Sequence, residues 1–150
     1  MSTLSEDDVK RIFEEALKDI SQGTFSDILD GKGREEKLYP LYVKQFLENG
    51  FRVIVNGGFY RNLSESSKRS PDYKVDLLIV KNGNLIGIEV KGPSVEENWS
   101  IRGTPIEEDK KKLQDLMSLG YLKTGFFVGI FLNRKTTEFE VHVEKISQVT

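Results

Sequence analysis

Val75-Asp-Leu-Leu-Ile-Val80, Lys81-Asn-Gly-Asn84 and Leu85-Ile-Gly-Ile-Glu-Val-Lys91 follow one another without a break. Two apolar runs joined through Asn-Gly are the strongest short-range hairpin signal, because a type I′ turn needs positive φ at both central residues. Both runs are apolar on both faces, which predicts central strands covered by helices on each side. A two-residue turn at Asn82-Gly83 sets Lys81 opposite Asn84, and the same register sets Asp76 opposite Glu89. Directly opposed residues have Cβ atoms about 4.5–5.5 Å apart and project from one face. Lys91, two residues past Glu89, emerges on that face as well.

Two like charges opposed on buried strands are destabilising. A hard divalent cation resolves this, and oxygen ligands suit Mg²⁺, Mn²⁺ or Ca²⁺. A structural cluster neutralised by Lys91 or an arginine is the competing explanation. If the repulsion stands, Asp76→Asn and Glu89→Gln should both raise metal-free stability.

Outward from the hairpin, Ser5-Glu-Asp-Asp8 has the form of a capping box, and Val9, Ile12, Phe13, Ala16, Leu17 and Ile20 form one helical stripe. Residues 21–33 are turn-rich and are expected to be a connector. A helix over about 34–48 should pack Leu38, Leu41, Tyr42, Phe46 and Leu47, with Pro40 kinking it or marking a new first turn. Phe51–Val55 predicts a strand, and 56–74 a long polar loop of the length that tends to carry function. Thr104-Pro-Ile-Glu107 marks a helix start, with Ile106, Leu113, Leu116 and Met117 as its stripe and Gly120 as its end. Phe126–Leu132 predicts a buried strand and Phe139–Val143 an edge strand. The order helix, helix, strand, loop, hairpin, helix, strand, strand predicts an α/β sandwich, a central mixed sheet flanked by helices. At about 100–200 residues per domain, residues 1–150 make one domain. In it, 1–33 is an N-terminal helical addition and connector, and 34–143 the core.

The absences narrow the chemistry. Without cysteine there is no disulfide, thiolate zinc site, Fe–S cluster or cysteine nucleophile, and the single histidine, His142, excludes His₂ and His₃ metal sites. No apolar run approaches the ~18–20 residues that span a bilayer. With no signal-peptide pattern at the start, a soluble, cytoplasmic chain is expected. The formal charge of −2 hides an asymmetry: residues 1–30 carry three basic and eight acidic side chains, the remainder nineteen and sixteen. The body is slightly basic, which permits a phosphate-rich partner.

Asp76, twelve intervening residues and Glu89-Val90-Lys91, on a hairpin after a Glu-bearing helix, resemble the PD-(D/E)XK nuclease superfamily. Glu36-Lys-Leu-Tyr-Pro40, continuing to Phe46-Leu-Glu-Asn-Gly-Phe51, is similar to the first core helix of some members and places Glu36 as the helix carboxylate; Glu35 takes its place if the helix phase is off by one. The literal Pro-Asp dipeptide, Pro71-Asp72, lies four residues upstream of the position that pairing selects. The resemblance covers roughly residues 34–132. It implies a restriction-endonuclease-like fold and an enzyme hydrolysing phosphodiester bonds, in DNA first and RNA as the alternative. Asp76, Glu89 and the Val90 backbone carbonyl would coordinate Mg²⁺ or Mn²⁺, Glu36 would bind it directly or through water, and Lys91 would serve the attacking water. Arg61, Lys68, Arg69, Arg102 and Lys110 border the implied cleft as candidate phosphate contacts, Lys110 pointing inward on its helix stripe. Double-strand cleavage would require a homodimer. The alternative is a non-catalytic nucleic-acid-binding or assembly module on the same fold.

Overall fold

The Asn82-Gly83 turn forms as expected. Both residues take positive φ, 53° and 78°, and they join β2 (Tyr73–Lys81) to β3 (Asn84–Ser94). In this computed structural model the described residues are 4–32, 35–59, 73–95 and 104–147. β1 (Arg52–Phe59) pairs antiparallel with β2, and β4 (Thr124–Asn133) pairs parallel with β3. β5 (Glu138–Ile146) closes the far edge antiparallel to β4. The result is a five-stranded mixed sheet in the order β1-β2-β3-β4-β5, with the hairpin inside it and β5 at an edge.

Alternation along β3 and β4 divides the apolar side chains between two cores, while β2 changes face at Asp76, with Val75 and Leu78 on one side and Leu77 and Ile79 on the other. Leu77, Ile79, Ile86, Ile88 and Val90, with Phe126, Val128, Ile130 and Leu132 of β4, face the three helices α1 (Glu6–Leu17), α2 (Gln22–Leu29) and α3 (Tyr39–Glu48). Val75, Leu78 and Phe127 face α4 (Thr104–Ser118) through Leu113, Leu116 and Met117. The crossover from β3 through α4 to β4 is what allows β3 and β4 to run parallel.

The capping box at Ser5 and Asp8 closes reciprocally, at 3.0 and 3.1 Å. Other expectations change. The 21–33 connector contains α2, because the Ser21 side chain caps it and Phe25, Ile28 and Leu29 share one face; Gly23 and the short polar residues mask that helix in the sequence. The 34–48 helix is divided. Glu35–Leu38 is a 3₁₀ turn and α3 begins anew at Tyr39, with Pro40 in its first turn, where its missing N–H costs nothing. Leu47 is exposed rather than packed. The 56–74 loop is shortened from both ends, since β1 runs to Phe59 and β2 starts at Tyr73; its middle, 60–72, lies outside the described residues. β1 continues past its expected end through Asn56, at φ 54°, and Gly57, which lies against Leu78 where a Cβ would come within 2.1 Å of Cδ1. Among the described residues, no helix is long and apolar enough to cross a membrane.

Candidate active site

The β2–β3 ladder runs residue for residue from Lys81↔Asn84 to Leu77↔Ile88 and ends there. On the other side of β2, the register with β1 passes from Val55↔Leu77 to Gly57↔Val75, stepping over Asn56 and Asp76. Asp76 therefore sits where neither neighbour completes its backbone pairing. A buried N–H left unbonded costs about as much as a lost hydrogen bond, and here carboxylates fill the gap. The Asp76 N–H donates to Glu89 Oε2 at 3.0 Å, and the Val90 N–H donates to Asp76 Oδ2 at 2.8 Å. The two acids face each other across the fork of the hairpin, and each carboxylate accepts a backbone N–H from the opposite strand.

Glu89 is buried, with 2 % of its surface exposed. Its second oxygen, Oε1, forms an ion pair with Lys112 of α4. Lys91 reaches the same helix, its ammonium 3.2 Å from Asp109 Oδ2. Glu89 and Lys91 therefore share the α4 face of the sheet, as the register requires.

The third carboxylate is Glu35 rather than Glu36. Glu36 is exposed, whereas Glu35 is half-buried and its Oε1 accepts from the Gly92 N–H at 3.0 Å. In a 3₁₀ turn residues i and i+3 eclipse, so Glu35 follows the buried Leu38 inward. Carrying the stripe of Leu38, Tyr42 and Phe46 back by three residues lands on Glu35, so the phase was available in the sequence. Gly92 itself admits no side chain. It has φ +95° and a Cβ there would lie 2.1 Å from the Ile130 carbonyl oxygen, so close packing on β4 fixes the N–H that Glu35 uses.

The electrostatics follow from crowding acids in a partly dry site. Burial raises the Glu35 carboxyl above its ordinary pKa, the Gly92 N–H and Lys91 oppose this, and Asp76 and Glu36 add to it. Asp109 is raised in the same way, by burial first, against Lys91 and with Asp76. Lys112 is lowered by burial and supported by the Asp76 charge. The Tyr39 hydroxyl is held neutral by burial and by the neighbouring Asp76, to which it hydrogen-bonds, and Glu35.

Sequence reasoning did not anticipate Asp109, Lys112 or Tyr39. A signal existed for Asp109, a charged residue on the apolar stripe of α4, three residues after Ile106 and four before Leu113. Lys112 reverses one expectation. With an ammonium on Glu89, Glu89→Gln would leave that cation unpaired and lower metal-free stability. Lys110 does point inward, over the Phe127 ring at 5.9 Å, but its ammonium is bonded to Glu144 at 2.9 Å. Arg61, Lys68, Arg69, Asp72 and Arg102 lie outside the described residues. His142 stacks on Phe131, with ring centroids 5.9 Å apart.

The donors around the fork are all oxygens, which suits a hard divalent cation in kind. They suit it in charge as well, since among the described residues Glu35, Asp76, Glu89 and Asp109 face Lys91 and Lys112, an excess of two negative charges. Among the described residues no three acidic or histidine side chains converge on one point as they stand, because Asp76 and Glu89 turn oxygens to backbone N–H groups and to Lys112. Compared with protein-family models, characterised proteins and solved structures, the chain matches none.

Proposed function

We propose that the chain is a divalent-metal-dependent nuclease of the PD-(D/E)XK kind, with a restriction-endonuclease-like fold, hydrolysing phosphodiester bonds in DNA, with RNA as the second choice of substrate. The observation that carries this reading is the opposed pair Asp76 and Glu89 at the open fork of a central hairpin, with Lys91 on the same face and two negative charges in excess. A chain selecting only for stability would place Val or Ile at both positions. The element order also supports it: a Glu-bearing turn and helix, a strand, the acidic hairpin, then a helix and a parallel strand.

Asp76, Glu89 and the Val90 carbonyl would hold Mg²⁺ or Mn²⁺, with Glu35, in place of Glu36, completing the set directly or through water. When bound, the ion supplies an activated water and positive charge at the scissile phosphate. Lys91 offers an ammonium on the same face, where it can orient that water and offset charge developing on the phosphate oxygens. The Gly92 N–H orients Glu35, and Tyr39 orients Asp76, so both carboxylates are held by groups on rigid elements.

One observation favours a second reading, a non-catalytic nucleic-acid-binding or assembly module: Lys112 and Lys91 already bridge Glu89 and Asp109, so the network could serve packing alone. Incubation with supercoiled, linear and single-stranded DNA and with RNA, in EDTA, Mg²⁺ or Mn²⁺, separates the two. Metal-dependent cleavage that Asp76→Asn reduces by about 10³-fold or more is expected. Binding without cleavage under every metal condition would select the second reading.

A further inference from the structure

β3 and α4 meet through two reciprocal ion pairs. β3 presents Glu89 and Lys91, about 7 Å apart along an extended strand. α4 presents Asp109 and Lys112, about 4.5 Å apart along its axis. The helix returns against the strand direction, so Lys112 meets Glu89 while Asp109 meets Lys91. The Glu89 side chain is 3 % exposed, so its carboxylate has almost no contact with water. One oxygen takes the Asp76 N–H and the other takes Lys112. A metal ion bound through that second oxygen would meet the Lys112 ammonium.

We propose that Lys112 is the resident cation of this site: its ammonium holds the place at Glu89 that a divalent ion takes, and it withdraws when the ion enters. The inference rests on the metal-dependent reading above. It follows from charge and space, since an ammonium and a divalent ion crowded against one buried carboxylate oxygen repel each other, and without either the carboxylate would be buried and unpaired. Withdrawal is structurally open to this residue. The Lys112 side chain is 25 % exposed, and a long stem can carry its charge to water while remaining packed. Its neighbours Leu113 and Leu116 are fully buried, so α4 keeps its seat when the ammonium leaves. Metal binding is thus a cation exchange, and Lys112 sets its threshold as a positioning residue.

The test is Mn²⁺ binding by the full chain, followed by electron paramagnetic resonance, together with thermal melting in EDTA. Lys112→Gln is expected to bind Mn²⁺ with a Kd lower by roughly fivefold or more, the range of ordinary coupling between sites. Its metal-free Tm should fall by about 3 °C or more, with Mn²⁺ restoring the difference. Lys112→Arg, which keeps the charge, should bind Mn²⁺ no more tightly than the unaltered chain. Lys112→Met preserves the packed stem and gives the same comparison if the glutamine variant does not fold. An unchanged or weaker Mn²⁺ affinity in Lys112→Gln and Lys112→Met would overturn the exchange while leaving the metal site standing. No Mn²⁺ binding by the unaltered chain or by either variant would overturn both this inference and the metal-dependent reading.

Discussion

At its turn end the β2–β3 hairpin is held by backbone pairing and apolar packing: Leu77 to Lys81 pair with Ile88 to Asn84 one for one, and Leu77, Ile79 and Ile88 have no exposed surface. At its open end, one residue beyond Leu77↔Ile88, the cross-strand bonds pass to the carboxylates of Asp76 and Glu89. The same two strands thus contain a segment where each residue serves the fold and a segment where the fold is left incomplete and acids complete it. The first segment fixes the register, and the register puts the acids face to face. Specificity of pairing at one end is therefore the source of the charge geometry at the other.

Substitutions at the two ends should fail in opposite ways. Glu89→Gln is expected to lower metal-dependent cleavage by about 10³-fold or more. It should also cost about 1–2 kcal/mol of metal-free stability, less than the loss of a fully buried pair because Lys112 can reach water. Ile79→Ala should cost about 2–5 kcal/mol of unfolding free energy, as for other emptied core positions, with cleavage per folded molecule unchanged. Urea denaturation and the cleavage assay, run on both variants, check the pair. A Glu89→Gln chain that cleaves normally, or an Ile79→Ala chain that folds stably but does not cleave, would dissolve the distinction between the ends.

The turn end was also the more legible of the two in sequence. Asn82-Gly83 between apolar runs dictates one turn and one register, and the arithmetic of pairing then places Asp76 against Glu89 without further information. The phase of Glu35 was within reach, because the stripe of Leu38 and Tyr42 includes it, but a 3₁₀ turn read as α-helix left Glu35 and Glu36 open. Lys112 was beyond reach for a different reason. Its role depends on how α4 seats against β3 across the crossover, a tertiary fact that no local spacing records. The helix within 21–33 escaped for lack of propensity, since tertiary packing of Phe25, Ile28 and Leu29 sustains it.

The turn itself provides a smaller effect. Gly83 has φ +78°, and nothing lies within 4 Å of where an alanine methyl would stand. Gly83→Ala therefore meets no clash and only the left-handed backbone penalty remains, about 1–2 kcal/mol. The unfolding free energy should drop by that amount, with Mn²⁺ affinity and cleavage unaltered. A change in Mn²⁺ affinity would show that turn strain travels along the hairpin to the fork.

The smallest effect is a difference in slope with pH. Burial raises the Glu35 carboxyl above its ordinary value of 4.5. Between that value and the raised one, the folded chain keeps a proton that the unfolded chain has released, so this group's contribution to stability is full below 4.5 and is lost as pH rises through the folded-state pKa. Glu35→Gln removes that loss. Metal-free unfolding free energies measured from about pH 4 upward should therefore decline less in Glu35→Gln than in the unaltered chain, the difference staying below the ~1.4 kcal/mol per pH unit that one proton can carry. Gly83→Ala, which alters no titrating group, should give a curve displaced but parallel to that of the unaltered chain. If Glu35→Gln is also merely displaced, the Glu35 carboxylate is solvated and the fork lacks the dry, acid-crowded character that sets it apart from the turn.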